Sequence, residues 1–254
     1  MKVVILGSSV GDSGARQYVS SYLINDSIAI DAGCLGFHGS PEQQARIRHV
    51  FLTHSHSDHT SSLPIFIENV WTPSQDCPCI HGSYETLDAI QRSVFNNEMW
   101  PDFVALSKKM PPFLQLNVLQ NEVSVDVAGL NVTPVCVEHT IPTFAYVVQD
   151  GVTAVIFGAD SAPTTRLWEI AKRTPALKAV FLEASFPNRM RNLAEVSRHL
   201  TPEMFGSEAA KMPAGVKLIA VHMKVRYRFE IEAELNRLGL PLLEIGECER
   251  EYVF

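Results

Sequence analysis

The feature that most constrains this chain is one short polar run, Thr53-His54-Ser55-His56-Ser57-Asp58-His59-Thr60. It follows an apolar segment that predicts a β-strand. His54 and His56 are two residues apart, so on extended backbone their rings project to one side and can hold one cation. Asp58 and His59 lie beyond the strand end, where the turn into a helix can direct them to a second cation. The run therefore predicts half of a two-metal site.

Three later segments supply further ligands, each at the end of a strand-like run. Residues 131–138 lead to His139, a third ligand for the first ion, and residues 217–221 lead to His222, which completes the second site. Residues 152–157 lead to Asp160, whose carboxylate can bridge both ions. A buried strand holds such a ligand rigidly, as a metal site requires. The expected ligands are His54, His56, Asp58, His59, His139, Asp160 and His222.

Imidazole and carboxylate ligands suit two divalent ions, with Zn²⁺ preferred and Mn²⁺ or Fe²⁺ also acceptable. Such a pair lowers the pKa of bound water, so the expected nucleophile is a hydroxide bridging the metals and oriented by Asp58. A purely structural zinc site is a weaker interpretation, because closed structural sites usually use cysteines.

A candidate general acid is His199, which precedes Thr201 as a helix N-cap and Pro202 at the first helical position. A helix N-terminus also attracts phosphate. Glu183 is the candidate that holds His199 in one tautomer. The alternative is a capping or surface histidine without a catalytic role.

The ordered motif H-x-H-x-D-H, then His, Asp and His, resembles that of the metallo-β-lactamase superfamily, and all seven positions are matched. Asp31-Ala32-Gly33 is similar to the early Asp motif of that family, which supports the metal site from behind. Within it, the chain most resembles the class II cyclic-nucleotide phosphodiesterases, although Ser57 stands where that subfamily usually carries Leu. The segments that carry this likeness are residues 20–24, 95–103, 183–186 and 197–202.

This resemblance implies an enzyme that opens 3',5'-cyclic nucleotides to 5'-monophosphates. Two other hydrolases of the same fold stay open: a tRNA 3'-end-processing endonuclease, and a thioester or lactone hydrolase. A di-iron redox protein is a further alternative, but there a Glu replaces the second His of the motif, and this chain has His56. The preferred cyclic nucleotide and the base-recognition residues do not follow from the sequence.

The composition agrees with a compact soluble enzyme, and it allows a small anionic substrate because bound metal ions would supply local positive charge. A formal net charge of -7 argues against a broad nucleic-acid surface, which needs basic residues to replace counterions. The odd number of cysteines, five, forms no disulfide framework and fits a reducing cytoplasm. The N-terminus predicts a first strand, not a signal peptide, and no apolar run is long enough for a membrane span. A homodimer is compatible with the sequence.

Alternating strands and helices favour an α/β or α+β fold in one domain, residues 1–254, with two sheets. The resemblance implies an α+β four-layer αββα sandwich whose halves divide near residues 120 and 121. Helices are predicted over residues 83–95, 164–173 and 226–238. His38, His49 and His81 show no partner pattern and are assigned to the surface or core. The Cys77-Pro78-Cys79 segment predicts two packed thiols at the start of a strand.

Overall fold

The computed structural model describes residues 1–8 and 16–254. Two seven-stranded mixed sheets form its centre. The first sheet has the strand order β14-β1-β2-β3-β4-β5-β6, and the second has the order β13-β12-β11-β10-β9-β8-β7. The division predicted near residue 120 is confirmed, because β6 ends at Val118 and β7 begins at Val125. Of the strands in the described ranges, β14 alone returns to the first sheet after the second has begun.

The strands of the first sheet are β1 (Lys2–Ile5), β2 (Tyr22–Ile24), β3 (Ile28–Ile30), β4 (His49–Phe51), β5 (Cys79–Gly82), β6 (Gln115–Val118) and β14 (Glu251–Val253). The strands of the second sheet are β7 (Val125–Val127), β8 (Leu130–Val137), β9 (Thr143–Gln149), β10 (Ala154–Phe157), β11 (Leu177–Glu183), β12 (Lys217–Val221) and β13 (Leu243–Ile245). The α-helices are α1 (Pro41–Gln44), α2 (Ser57–Thr60), α3 (Leu63–Val70), α4 (Tyr84–Ser93), α5 (Phe103–Leu106), α6 (Arg166–Arg173), α7 (Arg191–Ser197), α8 (Pro202–Ala209) and α9 (Arg228–Arg237). Short 3-10 helices cover Leu35–Phe37, Asn188–Met190 and Val225–Tyr227.

Three apolar layers hold these elements together. The middle layer joins the facing sides of the two sheets, with Phe51 from one sheet and Phe157 and Phe181 from the other. An outer layer packs α3 and α4 on the first sheet, and another packs α6, α8 and α9 on the second. Strands buried on both faces read as continuous apolar runs, and β10 and β11 have that character. The expected α+β four-layer αββα sandwich is confirmed.

The predicted helices are present, with shifted boundaries. The helix predicted from Thr164 begins at Arg166, because the Thr164 N–H donates to buried Glu208 and its carbonyl accepts from Lys211. The helix predicted from Arg226 starts with a 3-10 turn and becomes α-helical at Arg228. The helix predicted to reach Phe95 ends at Ser93. Within the described ranges, no helix has the length and apolar character needed to cross a bilayer.

Candidate metal centre

All seven predicted ligands meet at one edge of the two sheets. His54 follows β4, while His139, Asp160 and His222 follow β8, β10 and β12. Asp58 and His59 lie in the short helix α2, as expected for a turn that follows the strand. The carboxyl ends of strands from both sheets therefore converge on a single cluster, although the residues lie far apart in the sequence.

The first ligand group consists of three imidazoles. Nε2 of His54 lies 3.0 Å from Nδ1 of His56, and Nε2 of His139 lies 3.3 Å from the same Nδ1. Ligand nitrogens about 2.0–2.1 Å from one zinc ion in tetrahedral geometry would stand about 3.3 Å apart. Because burial lowers the pKa of all three rings, their lone pairs are available for an ion near neutral pH.

The second group contains Asp58, His59, Asp160 and His222, whose ligand atoms all lie within 4.8 Å of one another. Asp160 also connects the two groups: its Oδ2 is 3.3 Å from Nε2 of His59 and 3.9 Å from Nε2 of His54. Asp160 therefore occupies the position between the groups that a bridging carboxylate requires.

His59 gives the clearest test of whether the cluster fits a metal ion. Its Nε2 is buried and has no hydrogen-bond partner among the described residues, because the contact with Asp160 lacks hydrogen-bond geometry. Although burial opposes a charged ring, Asp160 and Asp31 hold the pKa of His59 well above its usual value. The cluster thus stabilises positive charge at this point, and the His/Asp set is compatible with two metal ions.

Neighbouring polar groups fix the histidine tautomers. Nδ1 of His59 donates to Asp31 over 2.7 Å, as the early Asp motif implied. Nδ1 of His54 lies 2.9 Å from the Thr53 hydroxyl, which also contacts Asp31, and Nδ1 of His139 donates to the carbonyl of Arg198. Each contact leaves Nε2 free to face the cluster, which is the usual support of metal-binding imidazoles.

Three residues at the site have backbone conformations that are strained for side chains other than glycine. Asp31, Ala159 and His222 are not glycines, yet their φ angles are 62°, 55° and 55°. Such conformations cost about 1–3 kcal/mol each and persist where the surroundings impose them. Gly33 allows the close approach of the motif loop, since a Cβ there would lie 2.3 Å from the carbonyl oxygen of Asp58.

The two predicted catalytic partners are in contact beside the ligand groups. Nδ1 of His199 donates to Oε1 of Glu183 over 2.8 Å and lies 3.9 Å from Oδ2 of Asp160. Burial alone would lower the pKa of His199, but the Glu183 carboxylate outweighs it and raises the pKa. The predicted cap is also present: the Thr201 side chain accepts from Met204 N–H, with Pro202 at the first helical position.

Two residues at the site were not predicted from the sequence. The Ser185 hydroxyl donates to Oε2 of Glu183 over 2.7 Å and accepts from Nδ1 of His222 over 3.0 Å, so it links the acid pair to a ligand. Nζ of Lys224 donates to Asp58 over 3.3 Å. Ser185 lies in the segment that resembles the phosphodiesterases, which was the available signal, whereas no pattern identified Lys224.

His81 is buried in the core and His49 is half-buried, in line with their assignment to the surface or core, but the sequence did not show that the two rings are in contact. They lie on the neighbouring strands β4 and β5, and Nδ1 of His49 is 3.1 Å from Nε2 of His81. The contact between His49 and His81 could not be predicted from the sequence, because it depends on how β4 and β5 are aligned side by side in the sheet.

Comparison with known proteins agrees with this architecture. The metallo-β-lactamase fold protein YhfI from Bacillus subtilis is 17% identical with a TM-score of 0.73, covering 99% of this chain and 98% of that protein. Unliganded PDE1 from yeast is 18% identical with a TM-score of 0.76, covering 98% of each chain. The short form of human tRNase Z is 19% identical with a TM-score of 0.67, covering 100% of this chain and 99% of that protein.

These structural likenesses, at low identity, show a shared fold. A search of curated protein sequences found no significant match. A family model described as the beta-lactamase superfamily domain matches residues 28–223, a range that includes all seven predicted ligands. The chain therefore belongs to the β-lactamase superfamily.

Proposed function

We propose that this protein is a binuclear metal-dependent phosphodiesterase that hydrolyses small phosphodiesters, in particular 3',5'-cyclic nucleotides to 5'-monophosphates. The observation that carries the proposal is the buried Glu183–His199 pair, which lies against Asp160 and hence against both ligand groups. A phosphodiester with an alkoxide leaving group needs a positioned proton donor as well as metal ions, and this pair can supply one.

The first ion would be held by His54, His56, His139 and Asp160, and the second by Asp58, His59, His222 and Asp160. When bound, two such ions polarise phosphoryl oxygens and lower the pKa of a coordinated water. Imidazole with carboxylate favours Zn²⁺, and Mn²⁺ and Fe²⁺ accept the same ligands.

The remaining steps belong to side chains of the protein. The Asp58 carboxylate accepts from Lys224 and lies 3.4 Å from Nε2 of His222, so it stands beside the second ligand group. From this position it can orient an attacking water. Nδ1 of His199 donates to Glu183, while Nε2 has no partner among the described residues and can donate to the departing oxygen. Glu183 stabilises the imidazolium, because a carboxylate beside the ring favours its charged form.

The charge around the cluster supports an anionic substrate. A cleft of about 280 Å³ opens beside His222, and among the described residues its lining includes Lys224 and Arg226. Lys224 contacts the predicted ligand Asp58, and Arg226 lines the same cleft, although the chain has a formal net charge of -7. Local positive charge on an acidic protein suits a small phosphodiester better than a long nucleic acid, which requires an extended basic surface.

The structural neighbours are consistent with this proposal and with its main competitor. The likeness to yeast PDE1 extends over 98% of both chains and agrees with the phosphodiesterase-like sequence segments. The likeness to human tRNase Z keeps RNA cleavage as an outcome of the test.

The test is a turnover screen of the Zn²⁺- and Mn²⁺-loaded protein with cyclic AMP, cyclic GMP, bis(p-nitrophenyl) phosphate, a thioester, a lactone and a tRNA precursor. Cyclic-nucleotide hydrolysis with modest salt dependence is expected. Asp160→Ala should lose both metal and activity, whereas Asp126→Ala, at an exposed position, should keep both. Salt-sensitive cleavage of a tRNA 3' trailer would favour the endonuclease, and thioester hydrolysis without phosphodiester hydrolysis would exclude both.

A further inference from the structure

A second group of potential metal ligands lies at the other end of β4. It consists of His49 at the start of β4 and Cys79 and His81 on β5, and the ligand atoms of all three lie within 4.8 Å of one another. His49 is paired with Cys79 in the parallel register, and His81 follows two residues later. Paired residues and residues two apart share one face of a sheet, so the three side chains project together. None of them belongs to the cluster that follows the strand at His54.

The two imidazoles are spaced as ligands of one ion. Nδ1 of His49 and Nε2 of His81 are 3.1 Å apart. Two nitrogens bound tetrahedrally to one zinc ion at about 2.0–2.1 Å would be about 3.3 Å apart, so little movement is needed to admit an ion. A direct hydrogen bond between the rings fits the same distance and is the competing interpretation.

The orientation of His81 is fixed by its neighbours. Its ring stacks on Phe51, with centroids 4.2 Å apart and an interplanar angle of 7°. Its Nδ1 lies 2.9 Å from the side-chain amide of Asn117, the residue paired with it on β6. By rotating its amide, Asn117 can present its oxygen and accept from Nδ1, which leaves the Nε2 lone pair for a metal ion.

The protonation states also suit metal binding. Burial lowers the pKa of His81 to about 4, and burial together with Arg48 lowers the pKa of His49, so both rings are neutral at pH 7. Burial raises the pKa of the Cys79 thiol to about 11, so an ion must displace its proton, as a coordinated cation does. A water can complete the four ligands of a tetrahedral site.

We propose that His49, Cys79 and His81 form a third metal site, separate from the binuclear cluster, which binds Zn²⁺ through Nδ1, Sγ and Nε2. A thiolate with two imidazoles selects Zn²⁺ over Mg²⁺ and Ca²⁺, which prefer oxygen ligands. An ion here links β4 to β5 and so stiffens the strand that leads into His54. The site depends on no assumption about the reaction.

Cobalt substitution tests the proposal, because a thiolate bound to Co²⁺ gives a near-ultraviolet charge-transfer band. The predicted ligands of the binuclear cluster are His and Asp, so they give no such band. The Co²⁺-loaded protein should show the band and bind three ions per chain. Cys79→Ser should lose the band and bind two ions. The matched control Cys136→Ser, at an exposed cysteine, should keep both.

Absence of the band from the parent protein would overturn the proposal, as would an unchanged band and metal content in Cys79→Ser. If Cys79→Ser does not fold by circular dichroism, His49→Gln replaces it. His49 is half-buried, and its substitution should release one ion of the three, whereas retention of all three would also overturn the proposal. The charge-transfer band and the number of bound ions are measured without any phosphodiester turnover. A protein that hydrolyses no phosphodiester can therefore still confirm or overturn the third metal site.

Discussion

Replacement of His199 by alanine tests the proposed acid most directly. Only 7% of His199 is exposed, and its Nδ1 donates to Glu183. When the ring is removed, Glu183 keeps its hydrogen bonds from the N–H groups of Ser161 and Leu200 and from the Ser185 hydroxyl. The carboxylate therefore stays satisfied, and both ligand groups stay supported. We expect the variant to fold and to bind the same metal ions as the parent protein.

The expected loss depends on the leaving group. A positioned general acid contributes about 10²–10⁴-fold, so His199→Ala should slow cyclic AMP hydrolysis by at least about 100-fold, equal to about 2.7 kcal/mol of activation free energy. With bis(p-nitrophenyl) phosphate the loss should be much smaller, because p-nitrophenolate is a weak base that leaves without a proton. Steady-state kcat on both substrates, with metal content measured in parallel, gives the comparison.

The matched control is His38→Ala, a half-buried histidine outside both ligand groups, which should keep parental rates on both substrates. Equal losses on both substrates would refute the acid role and indicate that His199 binds the phosphate. Unchanged rates on both substrates would make His199 a capping residue.

Three other outcomes are expected. Glu183 raises the pKa of His199, and the proposed acid is active while protonated, so activity should fall as pH rises through that pKa. In Glu183→Gln the pKa of His199 should be lower, and the descending limb of the pH–rate profile should move to lower pH. A limb that does not move would contradict this. Gly33→Ala should lower the free energy of unfolding by about 1–3 kcal/mol in urea titrations, since the added Cβ would lie 2.3 Å from the Asp58 carbonyl oxygen. In the control Gly82→Ala the added Cβ would lie 3.4 Å from Leu87, an ordinary contact distance, so the change in the free energy of unfolding should be much smaller. Chelation should abolish hydrolysis and lower Tm, and added Zn²⁺ or Mn²⁺ should restore both; full activity after verified metal removal would exclude the metal-dependent mechanism.

Local sequence determined which side chains stand at the strand ends as predicted ligands and which groups flank them. Extended backbone places His54 and His56 on one side, and apolar runs before His139, Asp160 and His222 mark strands whose ends carry polar side chains. The Thr201-Pro202 pair likewise indicated a helix start that the structure contains. These inferences worked because each depends on neighbours within a few residues. The dividing point of the two halves, near residues 120 and 121, came from the family resemblance.

Tertiary structure alone decided which distant residues meet. Ser185, just beyond β11, contacts His222, just beyond β12, because these two strands lie side by side in parallel register. His49 faces His81 for the same reason on β4 and β5. A sequence shows which face of a strand a residue occupies, but strand order and lateral register follow from packing across the whole domain. Contacts across neighbouring strands therefore become visible only in the folded structure.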